Sequence, residues 1–176
     1  PLRDLFLDVC RSWGRVAQTF SEMHELGLLG RYLPEFGALT CLVQYDVYHR
    51  FSADQHSLLA VEHLEALAPG QSAESEGAAL VFHEVEKPEL LMLGMLLHDI
   101  GMASGHGHVA KGIPLIRQLV ERLGLPAADG AMVKFLVAHH LTMSHVAQRR
   151  DIDDPKTVED FAAAAGDPQR LRMLYL

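Results

Sequence analysis

Basic residues are scarce in this chain: 15 Lys and Arg stand against 23 Asp and Glu, a formal net charge of −8. A general nucleic-acid binder or a membrane-surface protein needs a basic face, so neither nucleic acid nor membrane is expected as a partner. Room is left only for a local cationic pocket that holds one phosphate. Cysteine is scarcer still. Cys10 and Cys41 form no metal-type pair and fall in apolar helical pattern, which reads as reduced core residues of a cytoplasmic protein. No apolar run approaches the roughly 18 residues of a membrane-crossing helix, and no secretory signal opens the sequence. Convincing strand-like alternation is missing, as is any repeat at a solenoid period.

What is present is a large apolar fraction, 49% of 176 residues. At this length folding buries about 70% of the extended chain's surface, so one domain can form its core without staples. Leu5, Phe6, Val9, Trp13, Val16, Phe20, Met23 and Leu26 recur at helical spacing over residues 2–26, with Gly14 a weak point and Gly27 the stop. Pro34 to Gly37 reads as a turn. Ser52-Ala53-Asp54-Gln55 fits a capping box that opens a helix running to Ala68. Gln71 to Glu76 is small and polar, as a mobile loop would be. Pro88 suits the first position of a helix that carries Leu91 to Asp99, and Met102 to Gly107 is a glycine-containing loop. A further helix spans His108 to Leu123 and stops at Gly124. Pro126 opens another that ends on His139 and His140. Asp154-Pro155 and Asp167-Pro168 each place an acidic N-cap before a proline. The expected fold class is all-α, a helical bundle.

Polarity interrupts this pattern most sharply at His98-Asp99. Leu91 to Leu97 is apolar but for Gly94, and runs directly into the pair. Burying an unpaired polar side chain there costs about 1–3 kcal/mol. Two readings fit the pair alone: a helix end that Gly101 stops and water solvates, or a grip on a metal at the core's edge. The other histidines favour the second. His56 lies one turn into the capped helix, His108 begins the next one, and His139-His140 end another, so separate helices each bring imidazole to a terminus or first turn. Imidazole and carboxylate without thiolate suit Mn²⁺, Fe²⁺, Co²⁺ or Zn²⁺, with Mg²⁺ an alternative. A carboxylate among such ligands can bridge two ions, and one or two ions can activate water and hold a phosphate in line. Of the remaining histidines, His24, His63, His83 and His145 read as solvated and His49 as structural.

The ordered set of His56, His98-Asp99, His108 and His139-His140 resembles the HD superfamily of metal-dependent phosphohydrolases, an all-α family named for its His-Asp pair. Three segments narrow the likeness: Leu29 to Gly37, Tyr48 to Ser57, and His139 to Ser144 continuing into Ala147 to Asp151. They resemble the HD domain of the bacterial PII-protein uridylyltransferase/uridylyl-removing enzyme family. The resemblance implies that His56, His98 and Asp99 form the first metal-binding elements, and that His108 with one or both of His139 and His140 forms the second. Asp99 would join the two, with Asp99 and His98 at the centre of catalysis. It further implies that a metal-activated water cleaves the phosphodiester joining UMP to a tyrosine of the PII signalling protein. A nucleotidyltransferase domain would precede this one and ACT domains would follow. That agrees with a chain that begins on Pro1 rather than methionine and ends on the apolar stretch Leu171 to Leu176. The chain is then expected to be one HD-type domain over 1–176 of a larger protein, with 1–50 a helical lead-in and 51–176 the metal-site core.

Two positions depart from the family pattern. Met102 stands where a phosphate-facing lysine is usual, which leaves Lys111, Arg149, Arg150 or His106 to meet the phosphate. The late aspartate ligand is expected beyond Leu176; Asp151, Asp153 and Asp154 are substitutes that helix starts and turns explain better. Other expectations therefore stay open: a different HD nucleotide phosphohydrolase, or an HD scaffold without catalysis.

Overall fold

The computed structural model describes residues 2–43, 51–71 and 75–176. Tyr48, His49 and Arg50, and the centre of the expected loop at 72–74, lie outside the described residues. Among the described residues the chain is helical, without a strand. The helices are α1 Leu2–Val9, α2 Val16–Glu25, α3 Leu28–Tyr32, α4 Pro34–Gly37, α5 Ala53–Glu65 and α6 Glu76–His83. They continue with α7 Pro88–Leu97, α8 His108–Leu123, α9 Ala127–His139, α10 Thr142–Arg149, α11 Pro155–Ala165 and α12 Pro168–Tyr175, and a 3₁₀ turn over Ile100–Ser104 links α7 to α8.

Helix α7 is the axis of the fold. Leu90, Leu91, Met92, Leu93, Leu96 and Leu97 are all buried, so it is covered on every side rather than along one stripe. Helices α5 and α9 pack against it, and α8 packs in turn on α9 and on the 3₁₀ turn. Gly94 makes the α7–α9 approach close: a Cβ there would meet Leu136 Cδ1 at 2.7 Å.

Helix α2 lies antiparallel on α5, held at both ends by buried carboxylates. At one end Glu65 accepts the backbone N–H groups of Val16 and Ala17, at 2.7 and 2.9 Å, and so caps an α2 N-terminus that has no side-chain cap of its own. At the other, Asp54 Oδ2 lies 2.8 Å from His24 Nε2 and accepts the Cys41 amide at 3.3 Å. These contacts fix the helix that carries His56.

Several local expectations change. The helix over 2–26 is two helices, because Gly14 turns the chain at φ +83° between α1 and α2. Pro34 to Gly37 forms a single helical turn. Cys10 is core, its thiol pushed up to about 12 by burial, whereas Cys41 is exposed at φ +58°. Cys41 lies outside the core, in a turn whose positive φ aims its amide at Asp54 Oδ2. His24 is not on a solvated face, since the buried carboxylate of Asp54 draws its ring inward to 11% side-chain exposure. Ser52 precedes α5 without capping it; its hydroxyl serves Asp54 instead. Asp154 and Asp167 do cap α11 and α12, accepting from the Lys156 and Arg170 amides.

Burial opposes ionisation of Asp54, but the Ser52 hydroxyl, the Cys41 amide, His24 and the Gln55 amide together hold its carboxyl below the usual range. Its contribution is therefore complete above the ordinary carboxylate pKa and is lost as pH falls through the lowered one. Asp54→Asn is expected to destabilise the protein by about 2 kcal/mol at pH 7 in urea denaturation. That difference should shrink as the solution is acidified below about pH 4.

Candidate metal centre

Asp99 is 4% exposed, and imidazoles from four helices or helix ends surround it. Its Oδ2 lies 3.1 Å from His98 Nε2 and 3.7 Å from His56 Nε2. Its Oδ1 lies 3.3 Å from His108 Nε2 and 3.6 Å from His140 Nε2. The carboxylate thus faces one histidine pair with each oxygen. Two groups result that could hold a metal, His56–His98–Asp99 and Asp99–His108–His140, with ligand atoms within 4.8 Å of one another in each.

Each ligand is aimed by its place in the fold. His98 and His140 are the C-cap residues of α7 and α9, where the last backbone carbonyls lack helical partners. Each fills such a vacancy: Nδ1 lies 2.7 Å from the Met95 carbonyl in His98 and 2.9 Å from the Val137 carbonyl in His140. A carbonyl only accepts, so Nδ1 must carry the proton, and Nε2 of each ring is left facing Asp99. Nε2 of His140 is buried and has no hydrogen-bond partner among the described residues. That orphaned nitrogen, the convergence of Nε2 atoms and the absence of thiolate fit a divalent ion.

Electrostatics favour an ionised carboxylate. Burial would raise the Asp99 carboxyl, but His140 and His98 beside it drive it far below the usual range. Burial likewise opposes a charged His98, yet Asp99 and the Met95 carbonyl raise its pKa. Asp99 is an anion that histidines or metal must neutralise.

Gly101 sets the position of His108. A Cβ on Gly101 would meet the His108 carbonyl at 1.9 Å and the Gly112 amide at 2.6 Å, so the 3₁₀ turn and the start of α8 touch backbone to backbone. Only glycine permits that approach.

Not every expected residue joins the cluster. The ring of His139 turns the other way, 4.6 Å from Phe135, with Nδ1 3.3 Å from Thr142 Oγ1. Burial and nearby Arg170 lower its pKa, and that guanidinium covers Phe135 at 4.7 Å. Met102 is buried in the core. Lys111 donates to the Ser104 carbonyl, and His106 is exposed. Arg149 and Arg150 are exposed on a shallow hollow with Thr142, His145 and Val146. Asp151 accepts the Asp153 amide, and Asp154 caps α11. His63, His83 and His145 are exposed, as the sequence suggested.

The cleft beside the centre was not foreseen from the residue pattern. It measures about 430 Å³ and is reached from His56, His98 and His140, with Met95, Leu136, Met143 and Met173 among its walls. Spacing is the signal that could have revealed it. Ala60, Met95 and Leu136 sit one helical turn from His56, His98 and His140, on the same faces.

A helical domain that gathers histidines around a His-Asp pair in this way is an HD domain. The HD domain family model matches residues 53–172, and the chain belongs to that family. Among curated proteins it is similar to the bifunctional uridylyltransferase/uridylyl-removing enzyme of Phenylobacterium zucineum, 40% identical over 98% of this chain and 18% of that protein. The protein of that name from Nitrosococcus oceani is 39% identical over 99% of this chain and 20% of its own length. The one from Ectopseudomonas mendocina is 37% identical over 98% and 19%. The chain spans about a fifth of the length of the curated relatives it matches.

Gly101→Ala is expected to displace α8 and with it His108. Affinity for a divalent ion, measured by calorimetric titration, should fall about 10- to 100-fold. His63→Ala, on an exposed face, should leave it unchanged.

Proposed function

We propose that this domain hydrolyses phosphodiesters with divalent metal, and that its substrate is a uridylylated PII signalling protein from which it releases UMP. The observation that carries the reading is Asp99, a buried carboxylate whose two oxygens each face a pair of imidazole nitrogens. His56, His98 and Asp99 would hold one ion, and Asp99, His108 and His140 a second. Mn²⁺, Fe²⁺, Co²⁺ or Zn²⁺ suit these donors, with Mg²⁺ a further choice. Ions bound there supply an activated water and positive charge for the phosphate oxygens.

The chain's own residues do the rest. Asp99 stays ionised across the working pH range, because His140 and His98 depress its pKa. The Met95 and Val137 carbonyls fix the ring orientations of His98 and His140, so the donor set is arranged before anything binds. The likeness to uridylyl-removing enzymes supports the finer choice of substrate, and the match over 53–172 supports a core at 51–176 with 1–50 as lead-in. On this reading the domain works in the cytoplasm, beside nucleotidyltransferase and ACT domains of one polypeptide.

Full-length protein supplied with Mn²⁺ should release UMP from uridylylated PII. Absence of release with metal bound would overturn the assignment, and turnover of free nucleotides without PII would replace the substrate. A protein that takes up no metal is the non-catalytic scaffold.

Asp99→Ala should abolish hydrolysis, a loss of at least about 10³-fold, while circular dichroism shows unchanged helix content. Activity near wild type in that variant would remove Asp99 from the chemistry.

A further inference from the structure

His108 enters the centre at the end of a pliable stretch of chain. Ala103 to Gly107, between the 3₁₀ turn and α8, are all exposed. Gly105 and Gly107 stand at φ +79° and +76°, and a Cβ on either would meet nothing within 4 Å. Glycine reaches other backbone regions as readily as this one, and no packing at these two positions opposes the change. Helix α8 then opens without a side-chain cap, and His108 is its first residue. Movement in this stretch moves the imidazole.

Lys111 spans that stretch. Its amide closes the first turn of α8, 3.2 Å from the Gly107 carbonyl, and its ammonium donates to the Ser104 carbonyl on the far side of both glycines. Helical side chains lean towards the N-terminus and residues three apart share a face, so Lys111 passes back over the turn that bears His108. The backbone contact of Gly101 with His108 and Gly112 holds the start of the 3₁₀ turn, and Lys111 holds its end. Local rules give a lysine no reason to stand here. The first turn of a helix carries positive partial charge, and the nitrogens around Asp99 form a site for cations, so another positive charge is disfavoured twice. A residue that breaks a local rule beside a functional site is expected to have a compensating role.

We infer that Lys111 is a positioning residue for the ion at Asp99–His108–His140: its bond to Ser104 holds the glycine stretch in the conformation that brings His108 Nε2 to Asp99 Oδ1. The inference rests on the two-ion reading above and deepens it. An ion at His56–His98–Asp99 owes nothing to this strap, since those ligands come from α5 and from the end of α7. Without the strap His108 reaches the centre for only a fraction of the time. The apparent dissociation constant of the second ion then rises by the inverse of that fraction, while the first ion is unaffected.

The test compares full-length wild-type protein with Lys111→Met and Lys111→Arg by calorimetric titration with Mn²⁺. Lys111→Met keeps the apolar stem and removes the donor. One of two binding events should weaken about fivefold or more and the other should hold, and Lys111→Arg, which keeps a donor of similar reach, should restore both. Charge alone predicts the opposite sign, because removing a cation beside a cation site tightens binding. Electron paramagnetic resonance gives a second readout. At a Mn²⁺ concentration that just fills both sites of the wild type, the signal of a coupled pair should give way in Lys111→Met to that of an isolated ion. Two events unchanged in Lys111→Met, two weakened equally as for a merely structural lysine, or a loss that Lys111→Arg leaves unrestored overturns the inference. Wild-type protein that takes up no Mn²⁺, or a single ion, removes the two-ion reading and the inference with it. Two ions in the wild type that are indifferent to Lys111 remove the strap alone.

Discussion

An ionised carboxylate withdrawn from water must be met by donors or cations, and Asp99 imposes that demand on the whole domain. Its partners come from α5, the end of α7, the start of α8 and the end of α9, so these helices must converge at one point. Convergence leaves four imidazoles crowded around one anion, with ring centroids 5.1 to 5.7 Å apart for neighbouring pairs. The arrangement has the form of a cation site, and a divalent ion resolves the crowding by taking the lone pairs that point inward.

The remaining parts of the fold serve that convergence. Gly94 lets α9 approach α7, and Gly101 lets α8 approach the turn after Asp99. The antiparallel pair of α2 and α5 is tied by Glu65 at one end and Asp54 at the other, which steadies the helix bearing His56. Helix C-termini contribute directly. The unpaired carbonyls of Met95 and Val137 accept from His98 and His140, so a defect inherent in ending a helix becomes the device that orients a ligand.

Much of this was legible before the structure. The turn-by-turn spacing of apolar residues foretold the helices, and Pro88, Gly124, Asp154 and Asp167 foretold where α7, α8, α11 and α12 begin or end. His56, His98, Asp99, His108 and His140 could be picked out because imidazoles at helix ends have few structural uses. His139 could not be separated from His140 by sequence, since adjacent residues on a helix differ in direction by about 100° and only packing shows which one faces inward. Asp54 and Glu65 escaped notice as buried groups because a carboxylate at a helix end usually faces water. His24 was misplaced for the same reason, its partner lying on another helix.

The sequence by itself determined that this protein is all-α, that a His-Asp pair ends its most apolar helix, and which histidines stand at helix termini. Periodicity and capping are local, and local rules read them. The tertiary structure alone decided that each oxygen of Asp99 faces two imidazoles, and that Arg149 and Arg150 are not among the residues that line the cleft. These depend on distances between helices far apart in the chain. Backbone contact at Gly101 and close packing at Gly94 set those distances, and neither has a signature in the residues that flank them.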